Sequence, residues 1–489
     1  MLRECPLSVQ QLTRGRHAKL VFCGSGGFDT VNWSWVLLRA AIALSVLTLL
    51  FLSQRFWYRA IWRMTSNWGS QALRVGTRLI YVALLLLIIG VTAESFRVTH
   101  GSVVPRGSLI SVFAGLWFFS ALFAYLAVKL VRGIDRLWAW LRAAHKLKNG
   151  HTPAQIISSS TGSKTSSAAP AAAELVANPS RRYLFRTATA IAGAGPFLTA
   201  VYGFAAERLA YQVRRVEIPI PNLPAALEGM RIVQISDIHL SSYMPRNQVR
   251  RAVEMANDLH ADLALATGDF ITGAGDPIAE CIDEVKRLRA PLGVWGCNGN
   301  HEIYARAEDT AQCLFADAGM KLLRQENAQL EFNGAKFNLI GVDYQRERTP
   351  SGRRIQILPQ VDRLVRHDMP NILLSHNPNA FNRAAELGIE LTLAGHTHGG
   401  QIQVEILDHR LSPARFITDY VAGLYQRPLF APAPNDRASA GSPFSPSHGS
   451  LFANKPLASI YVNRGLGTVG APVRLGVPPE ITLLTLRRA

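Results

Sequence analysis

The nine residues RIVQISDIH, Arg231 to His239, decide the fold of the C-terminal half of the chain. RIVQIS is a short, β-branched, largely apolar run of the kind that makes a buried strand. It ends directly on DIH, a carboxylate and an imidazole one residue apart. The arrangement recurs down the chain. LALAT (263–267) runs into Gly268-Asp269, and GVWGC (293–297) into Gly299-Asn300-His301-Glu302. NILLS (371–375) runs into His376, and LTLA (391–394) into Gly395-His396-Thr397-His398. FNLIGV (337–342) is a further apolar run, and helical patterns at 248–259, 278–288 and 305–318 lie between. Strand alternating with helix predicts a layered α/β domain. In such domains ligands gather at the carboxyl ends of strands.

Singly, each motif is weak. A lone Asp-x-His is more often a capped loop, and a lone His beyond a strand is usually a surface or core residue. Together, these strand ends deliver Asp237, Asp269, Asn300, His239, His301, His376, His396 and His398 into one half of the chain. In an extended segment residues two apart point the same way, which would aim Asp237 and His239 at one place. A mixed oxygen and imidazole set suits Zn, Mn or Fe rather than Ca or Mg alone. Two ions with about four protein ligands each can be built if one aspartate is shared, because a carboxylate offers two oxygens.

The first third of the 489 residues reads differently. Apolar runs predict three membrane spans, at about 36–53, 77–95 and 109–131, within a membrane region covering 1–150. A hydrocarbon core needs about 20 helical residues, and Trp33, Trp35, Trp57, Tyr58 and Trp62 sit where interfacial anchors would. A Ser/Ala/Thr/Pro-rich linker is expected over 151–180. A fourth apolar segment occupies 181–215, opened by Arg181-Arg182 in the manner of a twin-arginine export signal or a basic-flanked span. Residues 216–489 form the catalytic-looking domain, with a Pro/Ser/Ala-rich insertion at about 427–455, predicted disordered, whose His448 is not taken as a ligand. The basic stretch from Lys129 to Arg186 outweighs the loop at 97–106. Positive-inside logic therefore predicts a multi-pass protein of the cell (inner) membrane with the domain on the outer, periplasmic side.

Net charge is +18, from 52 Lys+Arg against 34 Asp+Glu. Much of it flanks the apolar runs as topology signal, and no aromatic-studded basic groove is visible, so nucleic acid is not expected as a partner. The five cysteines, Cys5, Cys23, Cys281, Cys297 and Cys313, form no CxxC pair and read as core thiols, without a zinc-thiolate site.

The order Asp-x-His, Gly-Asp, Gly-Asn-His-Glu, His, Gly-His-x-His resembles the calcineurin-like metallophosphoesterases. HNPNAF around His376, GHTHGGQ, and the tail IYVNRGLGTVGAPVRLGVPPEITLLTL are similar to their bacterial membrane-associated branch. The resemblance spans about 223–486. It implies an αββα sandwich of two mixed sheets flanked by helices. It also implies two divalent metal ions, one held by Asp237, His239, Asp269 and His398, the other by Asp269, Asn300, His376 and His396. His301 is then the catalytic, non-ligand histidine, and no further cofactor is expected. The implied activity is hydrolysis of a phosphoester or pyrophosphate bond by metal-activated hydroxide, on a phosphorylated small molecule or a lipid-linked substrate. Glu302 is read as support for a histidine, and Arg464 and Arg474 as either substrate contacts or solvated or structural residues. Two other readings compete: a catalytically inactive scaffold or regulatory membrane protein of the same fold, and a transporter. The first would be expected to lose ligands that this chain keeps. The second lacks an intramembrane cluster of charge.

Overall fold

A computed structural model of the chain describes residues 33–95, 109–148, 179–347, 355–406, 409–416, 418–430 and 456–489. The N-terminal tail, nearly all of the expected linker and most of the expected insertion, including His448, lie outside the described residues. Two compact units result, one from Leu44–Val98 and Phe113–Val201, the other dominated by Tyr202–Ala489.

The first unit is built from the helices α1 (Trp33–Thr65), α2 (Gln71–Ser95), α3 (Leu109–Lys148) and α4 (Pro179–Ala205). Each contains a stretch long and apolar enough to cross a membrane. Most of the exposed large apolar side chains lie here; beyond Ala205 the exposed ones among the described residues are Tyr304, Ile355 and Phe430. Such a surface is costly in water and suits lipid. Two indole donors inside the unit find partners: Trp57 Nε1 donates to the Ala121 carbonyl at 2.9 Å and Trp117 Nε1 to Gln54 Oε1 at 3.1 Å. Arg181 pairs with Asp135 of α3. Two helices outrun the expected spans. α1 continues past residue 53, and α3 carries the basic stretch after Val131 without a break. Gly133 alone does not end α3, because the Leu, Ala, Arg and Lys residues around it are strong helix formers.

The second unit is a sandwich. Its strands are β1 (Gln212–Ile220), β2 (Arg231–Ile235), β3 (Leu263–Thr267), β4 (Val294–Cys297), β5 (Lys321–Leu322), β6 (Glu326–Phe332), β7 (Ala335–Val342), β8 (Asn371–Ser375), β9 (Leu391–Ala394), β10 (Val404–Ile406), β11 (His409–Leu411), β12 (Gly423–Pro428), β13 (Leu457–Val462) and β14 (Glu480–Arg488). One mixed sheet runs β1-β14-β2-β3-β4-β5, the other β12-β13-β9-β8-β7-β6, and β10-β11 is a separate hairpin. The central strands are parallel in each sheet. Their side chains alternate between layers, as the pleat demands. Ile232, Leu263 and Leu265 face Leu339, Ile372, Leu374 and Leu393 between the sheets. Val233, Ala264 and Ala266 turn outward, under α5 (Arg246–Asn257), α6 (Ile278–Val285) and α8 (Glu308–Asp317). On the second sheet, Phe381 and Ala385 of α9 (Phe381–Glu386) cover Ala394, Ile460 and Val462. Burial on both faces explains why β3, β8 and β9 read as unbroken apolar runs.

Details depart from expectation. The helical pattern at 305–318 is split into α7 (Asn300–Ala305) and α8, because Arg306 adopts φ +54 and stops the first helix. Residues Arg427 and Pro428, assigned to the insertion, belong to β12. Cys281 and Cys297 are buried free thiols, whereas Cys313 is disulfide-bonded.

The α5–α6 contact rests on Glu284, whose side chain is fully buried yet accepts from Arg250 and Arg246 and pairs with Arg287. Arg250 Nε and Nη2 reach it at 3.0 and 2.9 Å, Arg246 Nε at 3.0 Å, and Arg287 Nε at 3.0 Å. These bonds, Arg250's foremost, hold its pKa at about 2. A depressed folded-state value means stability that is complete above the unfolded pKa and lost as pH falls from about 4.5 through about 2. Because the arginines are half-exposed and screened, Glu284→Gln is expected to cost about 2 kcal/mol at pH 7. The difference should vanish near pH 2, read by denaturant unfolding at both pH values.

Candidate metal centre

Strand pairing levels the ends from which the polar residues spring. Ile235 lies opposite Ala266, Thr267 opposite Cys297, and Val342 opposite Ser375. Asp237 follows β2, Asp269 follows β3, Asn300 and His301 open α7 after β4, His376 follows β8, and His396 and His398 follow β9. A missing side chain lets the two sheets' ends meet. A Cβ on Gly395 would stand 2.1 Å from Ser236 Oγ and 2.2 Å from Asp237 Oδ2. Gly299 is bare for the same reason, since a Cβ there would stand 2.1 Å from Asp269 Oδ1.

All eight side chains converge. The donor atoms of seven of them form three sets, each within 4.8 Å: Asp237, His239 and His398; His239, Asp269 and His301; Asp269, His376 and His396. Asp269 Oδ2 is 3.1 Å from His376 Nε2 and 3.5 Å from His239 Nε2. His398 Nε2 is 3.3 Å from Asp237 Oδ1 and 3.1 Å from His239 Nε2. Asn300 Oδ1 comes within 2.7 Å of His396 Nδ1. His301 stands edge-on to His239, with ring centroids 4.7 Å apart, and its Nδ1 lies 2.5 Å from the Thr272 carbonyl.

The convergence of Asp237 and His239 is not achieved by strand alternation. Both have φ +50, as do Asp269 at +55, His396 at +75 and His398 at +51. Five donor residues therefore occupy the left-handed region, at about 1 kcal/mol each for residues with a Cβ. Such strain persists where the surroundings over-determine it, and it concentrates at functional sites.

Electrostatics and tautomers fit a cation. His239 Nδ1 meets the Ile271 carbonyl at 3.1 Å and His376 Nδ1 meets the Thr267 carbonyl at 2.7 Å. Each bond places a proton on Nδ1 and turns Nε2 toward the cluster, where Nε2 of His376 faces the Asp269 carboxylate. His376 Nε2 is buried and makes no hydrogen bond. Burial drives His239 down to about 3 and His396 to about 4, so both imidazoles are neutral and offer lone pairs. Burial also opposes charge on His376, but Asp269 and Asp237 outweigh it and raise that group to about 10. Asp269 stays well below the usual carboxylate range, burial being overcome by His376 and His239. Lone pairs aimed at one another across about 3 Å repel unless a positive charge lies between them. The donor set thus fits divalent cations of the Zn, Mn or Fe kind.

One secondary expectation is corrected, and one of two open alternatives is met. Glu302 supports backbone rather than a histidine: its carboxylate accepts from the amides of Asp269 and Phe270 at 2.8 Å, Gly299 at 2.9 Å and Ile271 at 3.3 Å. It ties the β3 and β4 loops together. Arg474 and Arg464 are structural. Arg474 is fully buried and donates to the carbonyls of Gly467 and Val477 at 3.1 Å, Arg464 at 2.9 Å and Gly465 at 3.0 Å. Arg464 pairs with Glu480 at 3.4 Å. Sequence reasoning missed Tyr344, whose ring packs 5.3 Å from His396 and 6.2 Å from His376. It lies two residues beyond β7, so the strand-end rule could have found it.

Residues 230–400 match the calcineurin-like phosphoesterase family. This segment is a calcineurin-like phosphoesterase domain. Among curated proteins, the phosphoesterase domain and its flanks are similar to "Transmembrane protein with metallophosphoesterase domain" of Bos taurus, 30% identical over 57% of this chain and 57% of the relative. The chain thus spans less than two thirds of that relative's length. "Uncharacterized metallophosphoesterase YkuE" of Bacillus subtilis is 29% identical over 58% of this chain and 90% of its own. "UDP-2,3-diacylglucosamine pyrophosphatase LpxG" of Chlamydia trachomatis is 26% identical over 60% of this chain and 94% of its own.

Proposed function

We propose that the chain is a membrane-anchored phosphohydrolase with two adjacent divalent ions, Mn, Zn or Fe. Asp237, His239, Asp269 and His398 would hold one; Asp269, Asn300, His376 and His396 would hold the other. One observation carries this reading: Asp269 Oδ2 stands within 3.1 Å of His376 and 3.5 Å of His239, a histidine from each side. Ions bound there would polarise phosphate oxygens and generate a nucleophile from water near neutral pH. The chain's own residues do the rest. Asp237 and Asp269 are the two carboxylates in the set, and Asn300 is a neutral amide, so the loaded centre keeps net positive charge for a phosphate. His301, tied through Nδ1 to the Thr272 carbonyl, is oriented to pass a proton from Nε2 to the leaving oxygen. Glu302 and the two bare glycines hold the loops at the required separation.

The substrate class that fits best is a phosphoester or pyrophosphate borne by a lipid-linked molecule. Four membrane-competent helices on the same chain and the chlamydial relative's name support it. The charge bias between Lys129 and Arg186 supports a domain on the outer face of a cell membrane. A reporter fused after Ala489 should then be active only outside the cytoplasm; cytoplasmic activity would reverse the orientation.

The hydrolase reading is tested on the detergent-solubilised full chain, stripped of metal and resupplied with Mn or Zn, using p-nitrophenyl phosphate and bis(p-nitrophenyl) phosphate. His301→Ala should lose about 10²–10⁴-fold in kcat while bound metal is unchanged. Undiminished turnover would remove His301 from the mechanism.

A further inference from the structure

The centre has a wall that the reaction as proposed does not use. Tyr344 packs against His396 and His376, and Tyr304, three residues beyond His301 on α7, lies 6.1 Å from the His301 ring. The two tyrosine rings stand 6.3 Å apart, edge to face. Arg346 sits 4.8 Å above the Tyr304 ring. It is exposed and has no ion pair among the described residues. Tyr304 is 52% exposed, and Ile355, whose amide bonds to the Glu347 carbonyl at 2.8 Å, is 42% exposed. Beyond the helices of the first unit, exposed large apolar side chains among the described residues are Tyr304, Ile355 and Phe430, and the first of them lies under this arginine.

Position and chemistry together are informative. The wall starts at the His376–His396 side of the cluster and passes His301, the residue aimed at the leaving oxygen. A group departing on the His301 side of the cluster would pass this wall. A phosphomonoester with a small leaving group would touch neither Tyr304 nor Arg346. A leaving group with its own phosphoryl would meet an exposed guanidinium. A planar ring attached to that phosphoryl would meet the exposed face of Tyr304, because π-faces stack on aromatic side chains and guanidinium planes irrespective of base identity.

We infer that Tyr304, Tyr344 and Arg346 form a leaving-group subsite for a nucleoside phosphate, so that the substrate is a nucleoside diphosphate ester cleaved at its anhydride. The inference rests on the hydrolase reading above and narrows its substrate. Water adds across the P–O–P linkage: one phosphorus gains the hydroxyl, the bridging oxygen leaves with the nucleoside phosphate, and the remaining proton goes to that leaving oxygen. Arg346 offsets the charge the departing phosphoryl acquires, and Tyr344 holds the Tyr304 ring upright.

Two measurements on the full chain test it. In the first, UDP and ADP are titrated into metal-free protein and followed by intrinsic fluorescence. Both should bind, and Arg346→Gln and Tyr304→Ala should each weaken binding by about tenfold or more. In the second, metal-loaded protein is assayed on UDP-glucose and on p-nitrophenyl phosphate. The same variants should lower kcat/KM for UDP-glucose by about tenfold or more and change it for p-nitrophenyl phosphate by less than about threefold. Loss of hydrolysis on every substrate with nucleotide binding intact would defeat the hydrolase reading alone. Hydrolysis of p-nitrophenyl phosphate with no variant-sensitive nucleotide binding, or equal losses on both substrates, would overturn the subsite alone.

Discussion

Asp269→Asn is expected to empty the centre of metal and end turnover while the fold survives. Asparagine keeps the shape and the Oδ1 that accepts from the His301 amide at 2.9 Å. It replaces the oxygen poised between His376 and His239 by a neutral atom unable to serve two cations. Removing a mere supporting partner of a metal ligand already costs about 10–100-fold in affinity or activity. A ligand shared by two ions should cost more, at least about 10³-fold in kcat/KM. Elemental analysis after gel filtration should find less than one ion per chain, against two for the parent. Two ions and full activity in the variant would mean that Asp269 bridges nothing.

Glu302→Ala should act through stability. It strands four buried amides, those of Asp269, Phe270, Ile271 and Gly299. Each unsatisfied donor costs about 1–3 kcal/mol, and water entering the vacated space recovers part of it. A net loss of about 4 kcal/mol is the expectation, among the largest for any single change in this domain. In a domain of this size that lowers the melting temperature by about 10 °C. Restoring metal should recover part of the loss, since ligands that bind only the folded state stabilise it. A midpoint within about 2 °C of the parent would show that the two loops hold their geometry without the carboxylate.

Much of this was legible because period and punctuation are local properties. Apolar runs ending on Asp, Asn or His named every residue of the donor cluster, and unbroken rather than alternating apolarity in LALAT and NILLS marked strands buried on both faces. What stayed hidden depends on chain segments far apart. Nothing in GNHE says that Glu302 turns back to four amides rather than toward a ring. Nothing in APVRLG says that Arg474 will be wrapped by carbonyls instead of meeting solvent. The close approach at Gly395 involves β2 and β9, about 160 residues apart, and packing alone creates it. Periodicity failed at 305–318 because Arg306 is an ordinary helix former that here takes a left-handed conformation to end α7.

That last conformation has a larger meaning where Asp237, His239, Asp269, His396 and His398 share it. At each of these positions glycine would be the most comfortable residue, so erasing a functional side chain would relax the polypeptide. Descendants released from selection for chemistry should therefore drift toward glycine at these five sites while keeping a sound, even sturdier, architecture. Robustness of the scaffold is then no witness to activity, and the five encumbered residues are a better guide to it than stability.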